Sequence, residues 1–145
     1  MNINAIKLVY KFNKEAGLLD QEYSDKRECA YPIEEALEGL NIDYIDTGYC
    51  GNPTDLSRAI VEVLDPDFTM KDVNRLDKHL DIIIYSLGSI FKLGLKPQDL
   101  MKALSIVAIK NLEKLHSGQD ETGKQNKPDN FDGPEEQLQL ILDSL

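Results

Sequence analysis

The sequence predicts an all-α protein, a bundle of about four principal helices with an irregular C-terminal arm. Two observations carry this expectation. Apolar residues recur at intervals of three and four in several separate stretches, and glycines and prolines stand between those stretches where helices would stop and start. The 145 residues are expected to form a single domain, 1–145.

The first helix is expected over Asn4–Gly17, with Ile6, Val9, Tyr10 and Asn13 on one face and Gly17 as the stop. Leu18–Tyr31 is mixed and charged. Pro32 then suits the first turn of a second helix, in which Ile33, Ala36, Leu37 and Leu40 share one stripe and Asn41 provides an end. From Asn41 to Thr69 the pattern weakens. A short strand is open at Ile42–Ile45, Gly48, Gly51 and Pro53 mark turns, and Thr54 or Asp55 could cap a short helix through Leu64.

The clearest element is a long helix over about Met70–Leu93. Leu76, Leu80, Ile83, Leu87, Ile90 and Phe91 make its stripe, and Gly94 its C-terminal stop. After Lys96-Pro97 a further helix carries Leu100, Leu104, Val107 and Leu115 as far as Ser117-Gly118. Gln119–Pro134 has no period and is expected to be a loop or extended arm. Glu135–Leu145 returns as a short helix with Leu138, Ile141 and Leu145.

Composition narrows the classes of function. With 41% apolar and 29% charged residues the chain can bury a core. No apolar run approaches the roughly 18 residues of a membrane span, and the first residues lack the order of a signal peptide. A soluble cytoplasmic protein without a membrane partner is therefore expected. A formal net charge of -10 argues against nucleic acid as a partner, because phosphate-backbone binding needs a basic footprint. Cys29 and Cys50, 21 positions apart, fit neither a zinc ribbon nor a disulfide framework and read as incidental thiols.

Glu34, Glu35 and Glu38 are spaced three and four apart, so a helix gathers their carboxylates at the edge of its apolar stripe. Asp77 and Asp81 repeat the arrangement on the long helix, and Asp81 opens the run Ile82-Ile83-Ile84, an expensive setting for an unpaired charge. Packed side by side, the two helices could present four or five oxygen ligands suited to Mg2+, with Mn2+ as the alternative. Such acidic clusters also occur as solvated faces of ordinary helices.

Asn111 falls within the stripe of the helix after Pro97. A polar group there must find a partner or costs roughly 1 to 3 kcal/mol. Lys110 and Lys114 stand beside it, and Lys124 and Lys127 follow in the arm, where Gly123 allows close folding. These lysines are either solubilising charges or holders of phosphate.

At this point the order of motifs resembles the all-α nucleoside triphosphate pyrophosphohydrolases, the MazG-like superfamily that includes phosphoribosyl-ATP pyrophosphohydrolase-like proteins. Glu34-Glu35-Ala36-Leu37-Glu38 is similar to the family's EExxE, and Asp77 to Gly88, DKHLDIIIYSLG, to the helix that follows it. Asn111 and Lys114, then Asp120, Gly123, Lys124, Lys127, Phe131 and Pro134, resemble one branch's tail. The resemblance leaves out the connection from about Asn41 to Thr69.

The resemblance implies a four-helix-bundle-like MazG-type fold. It also implies metal-dependent hydrolysis of a nucleoside triphosphate, or a related nucleotide, to the monophosphate and pyrophosphate. In that reading Glu34 or Glu35, Glu38 and Asp81 hold Mg2+, Glu35 or Glu38 orients or deprotonates water, and Asn111, Lys114, Lys124 and Lys127 engage phosphates. A homodimer or dimer of dimers is implied as well. One departure stands out: where the family places Glu three residues before Asp81, this chain has Lys78, leaving Asp77 as the nearest carboxylate. That departure favours the rival reading, a noncatalytic helical scaffold that binds metal or nucleotide.

Overall fold

A computed structural model describes residues 4–40, 52–63, 69–119 and 125–145. Among these the chain is all-α, with six helices and no sheet; one isolated antiparallel bridge joins Gln119 and Gln125. The helices are α1 (Ala5–Glu15), α2 (Asp25–Gly39), α3 (Pro53–Glu62), α4 (Asp72–Lys92), α5 (Pro97–Glu113) and α6 (Glu135–Asp143). None of the helices is long and apolar enough to cross a membrane, among the described residues. The expected strand at Ile42–Ile45, Cys50 and the Leu64 end of the third helix lie outside the described residues.

The local signals work largely as chemistry requires. Asn4 caps α1 by accepting from the Ile6 N–H, and Gly17, at φ 71°, adopts the left-handed conformation that closes the turn after it. The expected α3 is present with its cap moved slightly. Asn52 accepts from the Asp55 N–H while the Asp55 carboxylate accepts from the Asn52 N–H, and Pro53 fills the first helical position, where no N–H is needed. Gly94, at φ 96°, ends the long helix as its position suggested.

One expectation is corrected. Pro32 is not in the first turn of its helix but in the interior of α2, which begins seven residues earlier at Asp25 under a Ser24 cap. A proline there removes one main-chain hydrogen bond and costs roughly 3 kcal/mol in an isolated helix. The early start is held by the Ser24 cap and by a tertiary anchor on Asp25, described below.

Contacts divide the chain into two compact units, one of Met1–Gln21 with Leu87–Leu145, the other of Glu22–Ser86. In the first, α1 packs on α5 and α5 on α6, with Ala5 and Ala108 buried on their helices. An apolar cavity of about 290 Å³ lies there, lined by Leu95, Leu100, Leu104, Leu138 and Ile141 among others. In the second, α2 packs on α3. Buried residues one turn apart are found on each helix, Ala30 and Glu34 on α2, Ser57 and Val61 on α3, and Asp25 is buried at the start of α2. Lys26 also reaches Glu62 across this pair at 3.4 Å.

Candidate functional site

The acidic residues singled out in the sequence all belong to the Glu22–Ser86 unit, but their settings differ. Glu34 is buried in the α2–α3 interface, where one of its carboxylate oxygens accepts from the Thr54 hydroxyl at 2.9 Å. Glu35 and Glu38 are exposed on α2, and Asp77 and Asp81 are exposed on α4. Carboxylate oxygen is the right donor chemistry for Mg2+ or Mn2+. The described residues of one chain nevertheless contain no group of three or more His, Cys, Asp or Glu side chains that could hold a metal ion.

The phosphate-binding candidates come together more closely. Asn111 and Lys114 leave the end of α5, where the Lys114 ammonium donates to Asn111 Oδ1 at 2.9 Å. Lys127 comes from the arm, and both ammonium groups face the same aromatic ring, with Lys114 Nζ 5.2 Å and Lys127 Nζ 5.9 Å from the centre of Phe131. The arm returns to this place through short-range geometry. Asn126 N–H donates to the Gly118 carbonyl at 2.9 Å, and Phe131 N–H to that of Pro128 at 3.0 Å. Lys110 is committed elsewhere, to Glu113 at 3.1 Å. Lys124 lies outside the described residues.

Two further arrangements were not read from the sequence. At the start of α2 the buried Asp25 carboxylate accepts from the Met70 N–H at 3.0 Å and from Arg75 through Nε at 3.1 Å and Nη2 at 2.8 Å. These donors hold the Asp25 carboxyl at about 2, well below its usual 3.8, with Arg75 the largest cause. The same pair pushes the Arg75 guanidinium further up. Arg75 also lies over the Tyr23 ring, 4.6 Å from its centre, and donates to Asp72 at 2.8 Å. A Ser-capped, carboxylate-first helix start was visible in the sequence; its cation, 50 residues downstream, was not.

The second arrangement involves the departing residue. Lys78 Nζ lies 3.4 Å from Cys29 Sγ and 3.5 Å from the Tyr23 hydroxyl, which in turn shares a 2.9 Å hydrogen bond with His79 Nε2. The position where the resembling family carries an acid is thus occupied by a cation turned to a thiol and a phenol. Burial, and then the Lys78 charge, hold the His79 imidazole below its usual 6.5. A folded value below the unfolded one means that His79 contributes stability fully above about pH 6.5, and that this is lost as pH falls through the folded value. We therefore expect thermal stability to decline as pH falls below about 6.5, and His79→Gln to flatten that decline. An unchanged pH profile of unfolding in the variant would refute this assignment.

Comparison of the chain with protein-family models, with curated proteins and with solved structures returned no match, so the residues themselves carry the functional reading.

Proposed function

We propose that the protein is a nucleotide pyrophosphohydrolase that converts a nucleoside triphosphate, or a related nucleotide, to the monophosphate and pyrophosphate. The observation that carries the reading is the meeting of Lys114 and Lys127, 13 residues apart on a helix end and an arm, about Phe131, with Lys114 also bonded to Asn111. Two ammonium groups beside one ring, one of them bonded to an amide oxygen, suit an anionic, phosphate-bearing ligand. The order of motifs, acidic helix, acidic and apolar helix, then this tail, supports the same assignment and, with it, a MazG-type fold in a cytoplasmic setting.

Mg2+ or Mn2+ belongs to this proposal, with Glu34, Glu35, Glu38, Asp77 and Asp81 as the proposed donors and Glu35 or Glu38 as the proposed orienting base. When bound, such an ion offsets phosphate charge and activates water. A homodimer or dimer of dimers is part of the same reading, with no membrane or nucleic-acid partner. Purified protein given a nucleotide panel with Mg2+ or Mn2+ is expected to release pyrophosphate. A folded preparation that releases none from any nucleotide ends the proposal.

A second reading has its own support. Lys78, engaged with Cys29 and Tyr23, stands where the family carries a carboxylate, and three metal donors do not gather among the described residues. These favour a noncatalytic helical scaffold. Metal titration of the wild type and of Asp81→Ala separates the two: saturable binding lost in the variant supports the enzyme, and no saturable binding supports the scaffold.

A further inference from the structure

Cys29 has a partner that its place in the chain conceals. The Asp25–Arg75 ion pair fastens the start of α2 to α4, with the guanidinium on a carboxylate side chain only 4% exposed. Cys29 stands four residues after Asp25 on α2, and Lys78 three residues after Arg75 on α4, in each case one helical turn further along. The anchor therefore carries the two side chains together. Lys78 Nζ lies 3.4 Å from Cys29 Sγ, although 49 positions separate them in the chain.

The ammonium is also held from its other side. It reaches the Tyr23 hydroxyl at 3.5 Å, and Tyr23 is fixed in turn by His79 Nε2 at 2.9 Å and by the Arg75 guanidinium over its ring. Lys78 is thereby set between a thiol and a phenol. Cys29 is half-buried and not sealed, so a small reagent can reach its sulfur. A partly exposed thiol beside a cation is the setting in which cysteines react, because the cation offsets negative charge that develops at the reacting atoms. Atoms about 3 to 3.5 Å apart already stand at the distance from which a bond forms. A sulfur oxidised at this place meets the Lys78 nitrogen before it meets a second reagent from solution.

We propose that Cys29 Sγ and Lys78 Nζ form a reversible covalent bridge between α2 and α4 when the protein meets a peroxide. In the first step sulfur attacks one peroxide oxygen and the O–O bond breaks. Sulfur gives up two electrons and becomes a sulfenic acid, and the peroxide, which gains them, leaves as water or an alcohol. In the second step Nζ attacks that sulfur, the S–N bond forms and the S–O bond breaks. Sulfenic acid and ammonium thus give the S–NH link, one water and one proton released to solvent. Two molecules of a thiol reductant reverse the change: with uptake of one proton they become a disulfide and return the Cys29 thiol and the Lys78 ammonium. This assigns a modification site to residues outside the proposed phosphate and metal sites, and stands independently of the hydrolase reading.

The test uses the full chain carrying Cys50→Ser, in which Cys29 is the only thiol. After hydrogen peroxide, alkylation and proteolysis, mass spectrometry of the product of single-chain mass is expected to find the Cys29 and Lys78 peptides joined. Together they are lighter than their sum by two hydrogen atoms, and dithiothreitol separates them again. The bridge closes a loop across 49 positions, so the treated protein is expected to unfold about 5 °C higher, a gain that reduction removes. Lys78→Arg keeps a cation and is expected to lose both the joined peptides and the gain. Circular dichroism checks that this variant is folded, and the parent chain decides the matter by itself if it is not. Cys29 that stays fully open to alkylation overturns the proposal. So does Cys29 carried to the sulfinic acid with Lys78 unmodified, or a bridge to a different lysine.

Discussion

Asp25→Asn is expected to lower the midpoint of thermal unfolding by on the order of 10 °C, the largest stability effect of any single change named for this chain. The carboxylate is buried and takes three donors from the far side of the sequence, the Met70 N–H and two nitrogens of Arg75. An asparagine keeps one acceptor oxygen but presents an N–H2 group to a guanidinium that cannot accept from it, and it leaves the Arg75 charge to the exposed Asp72 carboxylate. Arg75→Met is expected to be destabilising too, because it takes two donors from the buried Asp25 carboxylate and the guanidinium from the Tyr23 ring. The acid behaviour gives an independent check. Asp25 sits at about 2 when folded against 3.8 in its usual setting, so its contribution is complete above about pH 4 and disappears as pH falls through about 2. The stability curves of wild type and Asp25→Asn should therefore converge at the acid end and diverge above it. Parallel curves, or an unchanged melting temperature, would show that the ion pair does not anchor α2.

Lys114→Met combined with Lys127→Met is expected to lower kcat/KM for pyrophosphate release by about 100-fold, the largest functional effect expected of the proposed site. Both changes remove an ammonium group while keeping a long flexible side chain against Phe131, so the loss reads the charge and not the packing. Stopped or steady-state assays on a substrate that the nucleotide panel identifies would separate the components. A fall mainly in kcat places the lysines on the charge that develops during the reaction; a rise mainly in KM places them on ground-state phosphate binding. Equal activity in the double variant would remove the lysines from the site. Melting curves of the same variant guard against a loss of activity through unfolding.

These outcomes also show how far the residues could be read without coordinates. The helix after Asn4, the stop at Gly94, the stripe of α4 and the two helices that follow were legible because each depends on neighbours three or four positions away. The start of α2 was misread for the opposite reason. Pro32 is a strong local signal, and it was outweighed by the Ser24 cap and by an Arg75 whose distance along the chain hides it from any periodicity. Glu34 gives a similar lesson at the candidate site. Spacing placed it beside Glu38 at the edge of a stripe, while packing against α3 buried it on Thr54 and left Glu35 and Glu38 outside.

The sequence by itself determined an all-α chain, the approximate extent of its helices, and the order of acidic, apolar and basic segments along it, since helix formation, capping and amphipathic spacing are short-range properties. Only the tertiary structure decided which side chains meet: Asp25 with Arg75, Lys78 with Cys29, and Lys114 with Lys127 about Phe131. It also decided that Leu76, Leu80 and Ile83 of the α4 stripe are exposed, while Leu87 and Ile90 are half-buried. The reason is physical. Spacing along a helix says which side chains share a face, but whether that face meets another helix, a buried carboxylate or water depends on contacts between segments far apart in the chain.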